Sequence, residues 1–164
     1  MRIRPFSQDD FESVQAIYQQ GIDTLDATFQ TEQKTWKQWQ EAMIDGSTLV
    51  MLDDGQQVIG WAGLSAISSR PVYRGVAEVS IYMAQQVAGQ GFGSQLFQQM
   101  IEHSEKLGFW TLQSAIFPEN KGSVRLHQKQ GFRLIGERKG LGKMNGVWRD
   151  VLLFERRSDI VGID

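Results

Sequence analysis

The sequence contains no cysteine. That excludes disulfides, thiolate metal sites and any covalent mechanism through a cysteine nucleophile. Proline occurs only three times in 164 residues. No internal repeat or low-complexity linker divides the chain. No apolar run approaches the roughly 20 residues of a membrane-spanning helix, so no membrane partner is expected. Positive charge is not in excess: 17 Lys and Arg stand against 19 Asp and Glu, a net charge of −2. No stretch is basic enough to follow a phosphate backbone, so nucleic acid is not an expected partner. Gly-x-Ser-x-Gly and His-Glu-x-x-His motifs are both missing, and there are two histidines in all, which argues against a hydrolase. No metal site is expected.

What is present is an ordinary globular balance, 41% hydrophobic and 22% charged. The length suits one domain over residues 1–164 with a short C-terminal tail, because two cores would each bury too little surface. Met1-Arg2-Ile3-Arg4 leads directly into fold-like sequence, and a soluble cytoplasmic protein is the expectation.

The pattern along the chain predicts the order βααβββαβαββ. Arg2 to Pro5 reads as a strand. Ser7-Gln8-Asp9-Asp10 has capping-box form before Phe11, Val14, Ile17 and Tyr18 at helical spacing, with Gly21 as a stop. Thr35-Trp36-Lys37-Gln38 opens a second helix carrying Trp36, Trp39 and Met43 on one stripe and closed by Gly46. Thr48 to Leu52 and Gln57 to Ala66 flank the turn residues Asp53-Asp54-Gly55, a hairpin signal. Ala77 to Met83 alternates, with Ala77, Val79, Ile81 and Met83 on one face and Glu78, Ser80 and Tyr82 on the other. Leu96, Phe97, Met100, Ile101 and Leu107 mark a long amphipathic helix ending at Gly108. Thr111 to Phe117 is strand-like, Asn120 caps a short helix to Gln130, and Gly131 ends it. Strands near Phe132 to Arg138 and Val147 to Phe154 complete an α/β (α+β) domain, a mixed sheet with helices on its faces.

Between a strand and the long helix lies Val87-Ala88-Gly89-Gln90-Gly91-Phe92-Gly93-Ser94. Glycine at every second position permits left-handed backbone angles and close approach to a ligand. Converging N–H groups at a helix N-terminus suit an anion, and a diphosphate is the natural guest. A P-loop would need Gly-Lys-Ser/Thr, and Gly93-Ser94 lacks the lysine. The dinucleotide fingerprint would need a third glycine where Ser94 or Leu96 stands. The other reading of the loop is a flexible turn that binds nothing.

With Glu78 on the preceding strand, Asn120-Lys121-Gly122-Ser123 and Gly131-Phe132 beyond, the chain resembles the GNAT superfamily of acetyltransferases. The family's loop pattern, Arg/Gln-x-x-Gly-x-Gly, ends on Gly91 and Gly93; its first position falls on Ala88, which removes one side-chain contact. Asp26-Ala27-Thr28-Phe29, Arg74-Gly75-Val76-Ala77-Glu78-Val79-Ser80-Ile81-Tyr82, Gly108-Phe109-Trp110, Phe117-Pro118-Glu119-Asn120 and Gly146-Val147-Trp148-Arg149-Asp150 are similar to the phosphinothricin, methionine sulfoximine and arsinothricin acetyltransferase group. The resemblance implies an acetyl-CoA-dependent N-acetyltransferase of a small amine, and a homodimer. A protein terminus, a lysine or a polyamine as acceptor, or a non-catalytic acyl-CoA-binding domain, are the alternatives.

Acetyl transfer needs a neutral amine, a stabilised oxyanion and protonation of the leaving thiolate. By resemblance Glu78 is the general base; the plain alternative is a solvent-facing glutamate or a partner of Arg74. His127 is the expected proton donor, its alternative a helix-surface histidine, and His103 reads as solvated surface. The resemblance further assigns Ile81, Tyr82 and Met83 to the pantetheine arm, Gly89, Gln90, Gly91, Phe92, Gly93 and Ser94 to the pyrophosphate, and Asn120 to the cofactor, with an N-cap role as alternative or addition. An oxyanion donor is expected from a backbone N–H near Ile81. Arg74, Gly75, Val76, Thr28 and Phe29 are the expected acceptor contacts, with Trp148 or Arg149 closing the pocket. Phe29 and Trp148 read equally as core, and Arg74 as surface.

Overall fold

In the computed structural model, which describes residues 1–164, apolar alternation gathers seven strands into one sheet, and helices cover both its faces. In chain order these are β1 (Arg2–Pro5), α1 (Phe11–Asp23), α2 (Trp36–Ala42), β2 (Leu49–Leu52), β3 (Val58–Ala66), β4 (Val76–Met83), α3 (Phe92–Lys106), β5 (Thr111–Ile116), α4 (Lys121–Lys129), β6 (Arg133–Met144) and β7 (Val147–Arg157). The spatial order is β1-β2-β3-β4-β5-β7-β6, and only β4 and β5 run parallel. The expected order of elements is the observed one.

Each face has its own core. On one, Leu49, Met51, Leu64, Ala77 and Val79 of the sheet meet Leu96, Phe97, Met100 and Ile101 of α3. On the other, Val50, Leu52 and Trp61 meet Val14, Ile17, Tyr18 and Ile22 of α1, and Trp39 of α2. Successive residues of β2 point to opposite faces, and all four are buried because both faces are covered. The second core is strongly aromatic: Trp39 and Trp61 meet edge-on at 5.1 Å, and Trp61 stacks on Tyr82 at 5.1 Å.

Local chemistry sets the ends of the elements. The α2 box closes as read, with Thr35 Oγ1 accepting from Gln38 N at 3.2 Å and Gln38 Oε1 accepting from Thr35 N at 2.9 Å. At the first helix Asp10 accepts from Ser7 N at 2.8 Å and is clamped by the Arg4 guanidinium at 2.7 and 2.8 Å. That clamp, more than the Ser7 bond, holds the Asp10 carboxyl below the usual carboxylate range.

Three local expectations are corrected. Gly21 does not stop α1, which continues to Asp23. Its role is close packing, since a Cβ there would lie 2.7 Å from a Tyr82 ring carbon. His103 is not solvated surface: it is half-buried, and its Nε2 donates to Gly46 O at 2.8 Å. Finally β6 extends to Met144 and turns at Asn145-Gly146, with φ of 49° and 79°. That pair of positive angles fits a tight hairpin turn.

The feature that creates the site is a split in the sheet. β4 and β5 pair only over Val76–Glu78 and Thr111–Gln113. Beyond Glu78, β4 stays bonded to β3 as far as Met83, while β5 stays bonded to β7. The two parallel strands therefore diverge, and backbone groups on their facing edges are left without strand partners.

Candidate active site

The split holds a cavity of about 1120 Å³. Val79 to Met83 of β4 form one wall, and Ser114 to Ile116 of β5 with α4 form the other. Gly89, Gly91, Gly93 and Ser94 close one end, and Glu78 with Thr28 and Phe29 lies at the other.

At the glycine end Gly89 and Gly91 hold φ of 74° and 85°. Their missing Cβ atoms would have pointed into open space rather than protein. Left-handed geometry at two alternate positions, just before the 15-residue α3, directs the free N–H groups of its first turn outward. Gln130 braces this turn by donating to Ser94 O at 3.2 Å and Ser94 Oγ at 2.9 Å.

Opposite stands a row of cations that motif reading overlooked. Lys121, Arg125 and Lys129 all line the cavity. Their i, i+4, i+8 spacing puts them on one face of α4. None of them forms an ion pair within the chain. Like charges at this spacing repel, and Lys121 opposes the helix dipole at the N-terminus, so the arrangement calls for an external polyanion. The spacing itself was a signal available in the sequence.

Glu78 is the last residue of β4 to pair with β5. It forms no salt bridge or side-chain hydrogen bond, so the pairing with Arg74 weighed for it does not occur. Burial alone pushes its carboxyl above the usual range. A carboxylate without a cation and partly shielded from water is a competent proton acceptor. Burial also pushes the neighbouring Tyr82 hydroxyl up, so that it stays neutral.

Asn120 performs the cap read from sequence, its Oδ1 accepting from Ser123 N at 3.2 Å, and it also lines the cavity. His127 lies on the cavity wall but is 2% exposed, packed edge-on against Phe97 and Phe132. Its Nδ1 donates to Ser123 O at 2.7 Å, which leaves Nε2 a buried lone pair with no partner. Burial lowers its pKa and keeps the ring neutral. The helix-surface reading of His127 does not hold, because the ring is buried; with Nδ1–H engaged, a proton-donor role would fall to Nε2.

The acceptor expectations divide. Thr28 and Phe29 line the cavity, and Phe29 sits edge-on to Phe117 at 4.7 Å. Arg74, Gly75 and Val76 do not line it. Arg74 is exposed, lies 5.4 Å from the Trp110 ring and donates to Pro71 O, while Gly75 makes room for that same indole. Gln90 and Phe92 of the loop also fall outside the lining, Gln90 bonding back to Gln86 O and Phe92 packing toward the α3 core. Trp148 is 65% exposed, neither core nor lid. Arg149 binds Asp26 at 2.8 Å, Glu119 at 3.3 Å and Leu25 O at 2.9 Å. It thus ties two cavity-lining loops to the last strand rather than facing a ligand itself.

A split parallel pair, a glycine loop facing a cationic helix at one end and an isolated carboxylate at the other suit an elongated, phosphate-bearing donor. Residues 1–133 match the model of the acetyltransferase (GNAT) domain. The chain belongs to this family, and its activity is that of an N-acetyltransferase using acetyl-CoA. It is 32% identical over 160 residues to YwnH of Bacillus subtilis, by name a provisional phosphinothricin acetyltransferase, covering 95% of this chain and 98% of that one. It is 31% identical over 111 residues to a Pseudomonas aeruginosa L-methionine sulfoximine/L-methionine sulfone acetyltransferase, covering 68% and 64%. A phosphinothricin acetyltransferase from Sinorhizobium meliloti, solved with acetyl-CoA, superposes with a TM-score of 0.85 at 27% identity, covering 99% of this chain and 96% of that one.

Proposed function

We propose that this enzyme acetylates the amino group of a small amino-acid-like acceptor of the phosphinothricin or methionine sulfoximine kind. The observation that carries the reading is the isolated, buried-side carboxylate of Glu78 at the closed end of the split. Acetyl-CoA supplies the acetyl thioester. Its pyrophosphate suits the N–H groups of Gly89 to Ser94 and the Lys121–Arg125–Lys129 row, and its pantetheine arm suits the free edge of β4 from Ile81 to Met83.

Glu78 takes a proton from the acceptor's ammonium, directly or through one water. The freed amine nitrogen bonds to the thioester carbon, and the oxyanion accepts from unpaired β4 N–H groups past the split. Collapse breaks the C–S bond; the surplus proton on the attacking nitrogen passes through cavity water to the departing thiolate, and Glu78 returns its own proton to solvent. The products are an amide and free coenzyme A. With His127 neutral and engaged, no step is routed through it.

We further propose that the enzyme is cytoplasmic and works as a homodimer. No helix is long and apolar enough to cross a membrane. Leu141, Val147 and Trp148 are 48%, 59% and 65% exposed on the β6–β7 arm, an apolar face that a second copy would cover.

Thiol release from acetyl-CoA across a panel of amines tests the main reading. Release is expected with phosphinothricin, methionine sulfoximine and methionine sulfone, and not with a polyamine or a lysine peptide. Release with the peptide alone would overturn it.

A further inference from the structure

Next to the main cavity lies a second one of about 180 Å³ on the α1–α2 side of the sheet. The two share Thr28, Gln30, Glu78, Ser80 and Tyr82 in their walls, so Glu78 borders both. The remaining wall sets the rings of Tyr18, Trp39 and Trp61 beside Lys34, Ala42, Met43 and Ser65. This volume is below the roughly 300–1,000 Å³ of sites for drug-sized ligands, which fits one amino acid and not a peptide.

One cationic side chain there has no anionic partner. Lys34 is the single cationic side chain in the wall, and it forms no ion pair. Its ammonium lies 4.8 Å from the Tyr18 ring centroid and 3.5 Å from the Tyr18 hydroxyl, which fixes its stem against the ring. Trp61, 3% exposed, keeps its indole Nε1–H buried without an acceptor. Nε1 is closed off from the cavity as well as from solvent, so Trp61, packed against Trp39 and Tyr82 at 5.1 Å, gives the wall ring surface and no donor.

We infer that this side cavity is the acceptor pocket, in which Lys34 pairs an anionic group of the amino acid and its amine reaches Glu78. The inference rests on the proposed amine acetylation and adds the groups that select the acceptor. A carboxylate and an ammonium on one pocket complement a molecule carrying an amine and an anion. A polyamine would instead set its second ammonium against Lys34, which the low-dielectric aromatic wall makes costly.

Lys34→Met keeps the apolar stem and removes the charge. Its steady-state kinetics are to be compared with wild type for methionine sulfone, its carboxamide and phosphinothricin. KM for the anionic acceptors is expected to rise about ten- to a hundredfold, as for loss of a charged hydrogen bond, with KM for acetyl-CoA unchanged. Loss of the preference for methionine sulfone over its carboxamide assigns Lys34 to the α-carboxylate; an effect confined to phosphinothricin assigns it to the side-chain anion. Lys34→Glu should favour a diamine over methionine sulfone. Unchanged acceptor KM in Lys34→Met, with an active wild type, overturns this inference and leaves the acetyltransferase reading standing. A wild type that acetylates no small amino acid overturns both.

Discussion

At the glycine end the main cavity is lined by backbone N–H donors and exposed cations; at the Glu78 end it is lined by half-buried side chains set against an aromatic core. The first end tolerates an extended, mobile, polyanionic guest because main-chain donors and a row of charges ask little of its exact shape. The second has a single carboxylate whose properties come from burial, and small changes in its surroundings alter its proton affinity. Substitutions at the two ends should therefore separate kinetically, with donor affinity responding at one and turnover at the other.

The largest effect is expected for Glu78→Gln. Removal of a general base lowers kcat about 10²- to 10⁴-fold, with KM for acetyl-CoA held within twofold. A comparable rise in acetyl-CoA KM would erase the division between the ends. Next, joint replacement of Lys121, Arg125 and Lys129 by Gln should weaken acetyl-CoA binding by roughly tenfold to thirtyfold. The same triple variant should flatten the dependence of acetyl-CoA affinity on ionic strength, measured by titration at low and high salt. Gly91→Val places a branched side chain at a φ of 85°, a strain of about 1–3 kcal/mol. It should raise acetyl-CoA KM by about tenfold while acceptor KM stays put. The smallest effect runs the other way. Ala88 lines the cavity where related loops carry Arg or Gln, and Ala88→Arg should tighten acetyl-CoA about threefold in a direct binding titration.

The same contrast governs what could be read from the sequence. Backbone features have local signatures: glycine spacing marked the left-handed turn before α3, capping boxes marked helix starts, and alternation assigned the two faces of β4. The acceptor end has no such signature, because its members come from α1, the segment before α2, β3 and β4, and meet only through the sheet. Arg74 was drawn toward the site by its nearness to Glu78 in sequence. Yet four residues carry the strand from an exposed turn to the split, and the guanidinium settles on Trp110. His127 shows the converse. Its polar neighbours Gln128 and Lys129 suggested a surface, whereas its own position on α4 faces Phe97, Phe132 and Phe154. Gly21 was read as a stop because a glycine's packing role depends on a partner, Tyr82, that lies far along the chain.

The most direct test of the account is the pH dependence of kcat/KM for a small amino-acid acceptor in wild type and Glu78→Gln. Glu78 must be ionised to accept a proton, so activity should fall as pH drops through its pKa. Burial sets that limb above the ordinary glutamate value of about 4.3. The limb set by Glu78 is expected to vanish in Glu78→Gln, leaving a low rate that rises with pH only as the acceptor amine itself deprotonates. An identical acidic limb in both enzymes would contradict it.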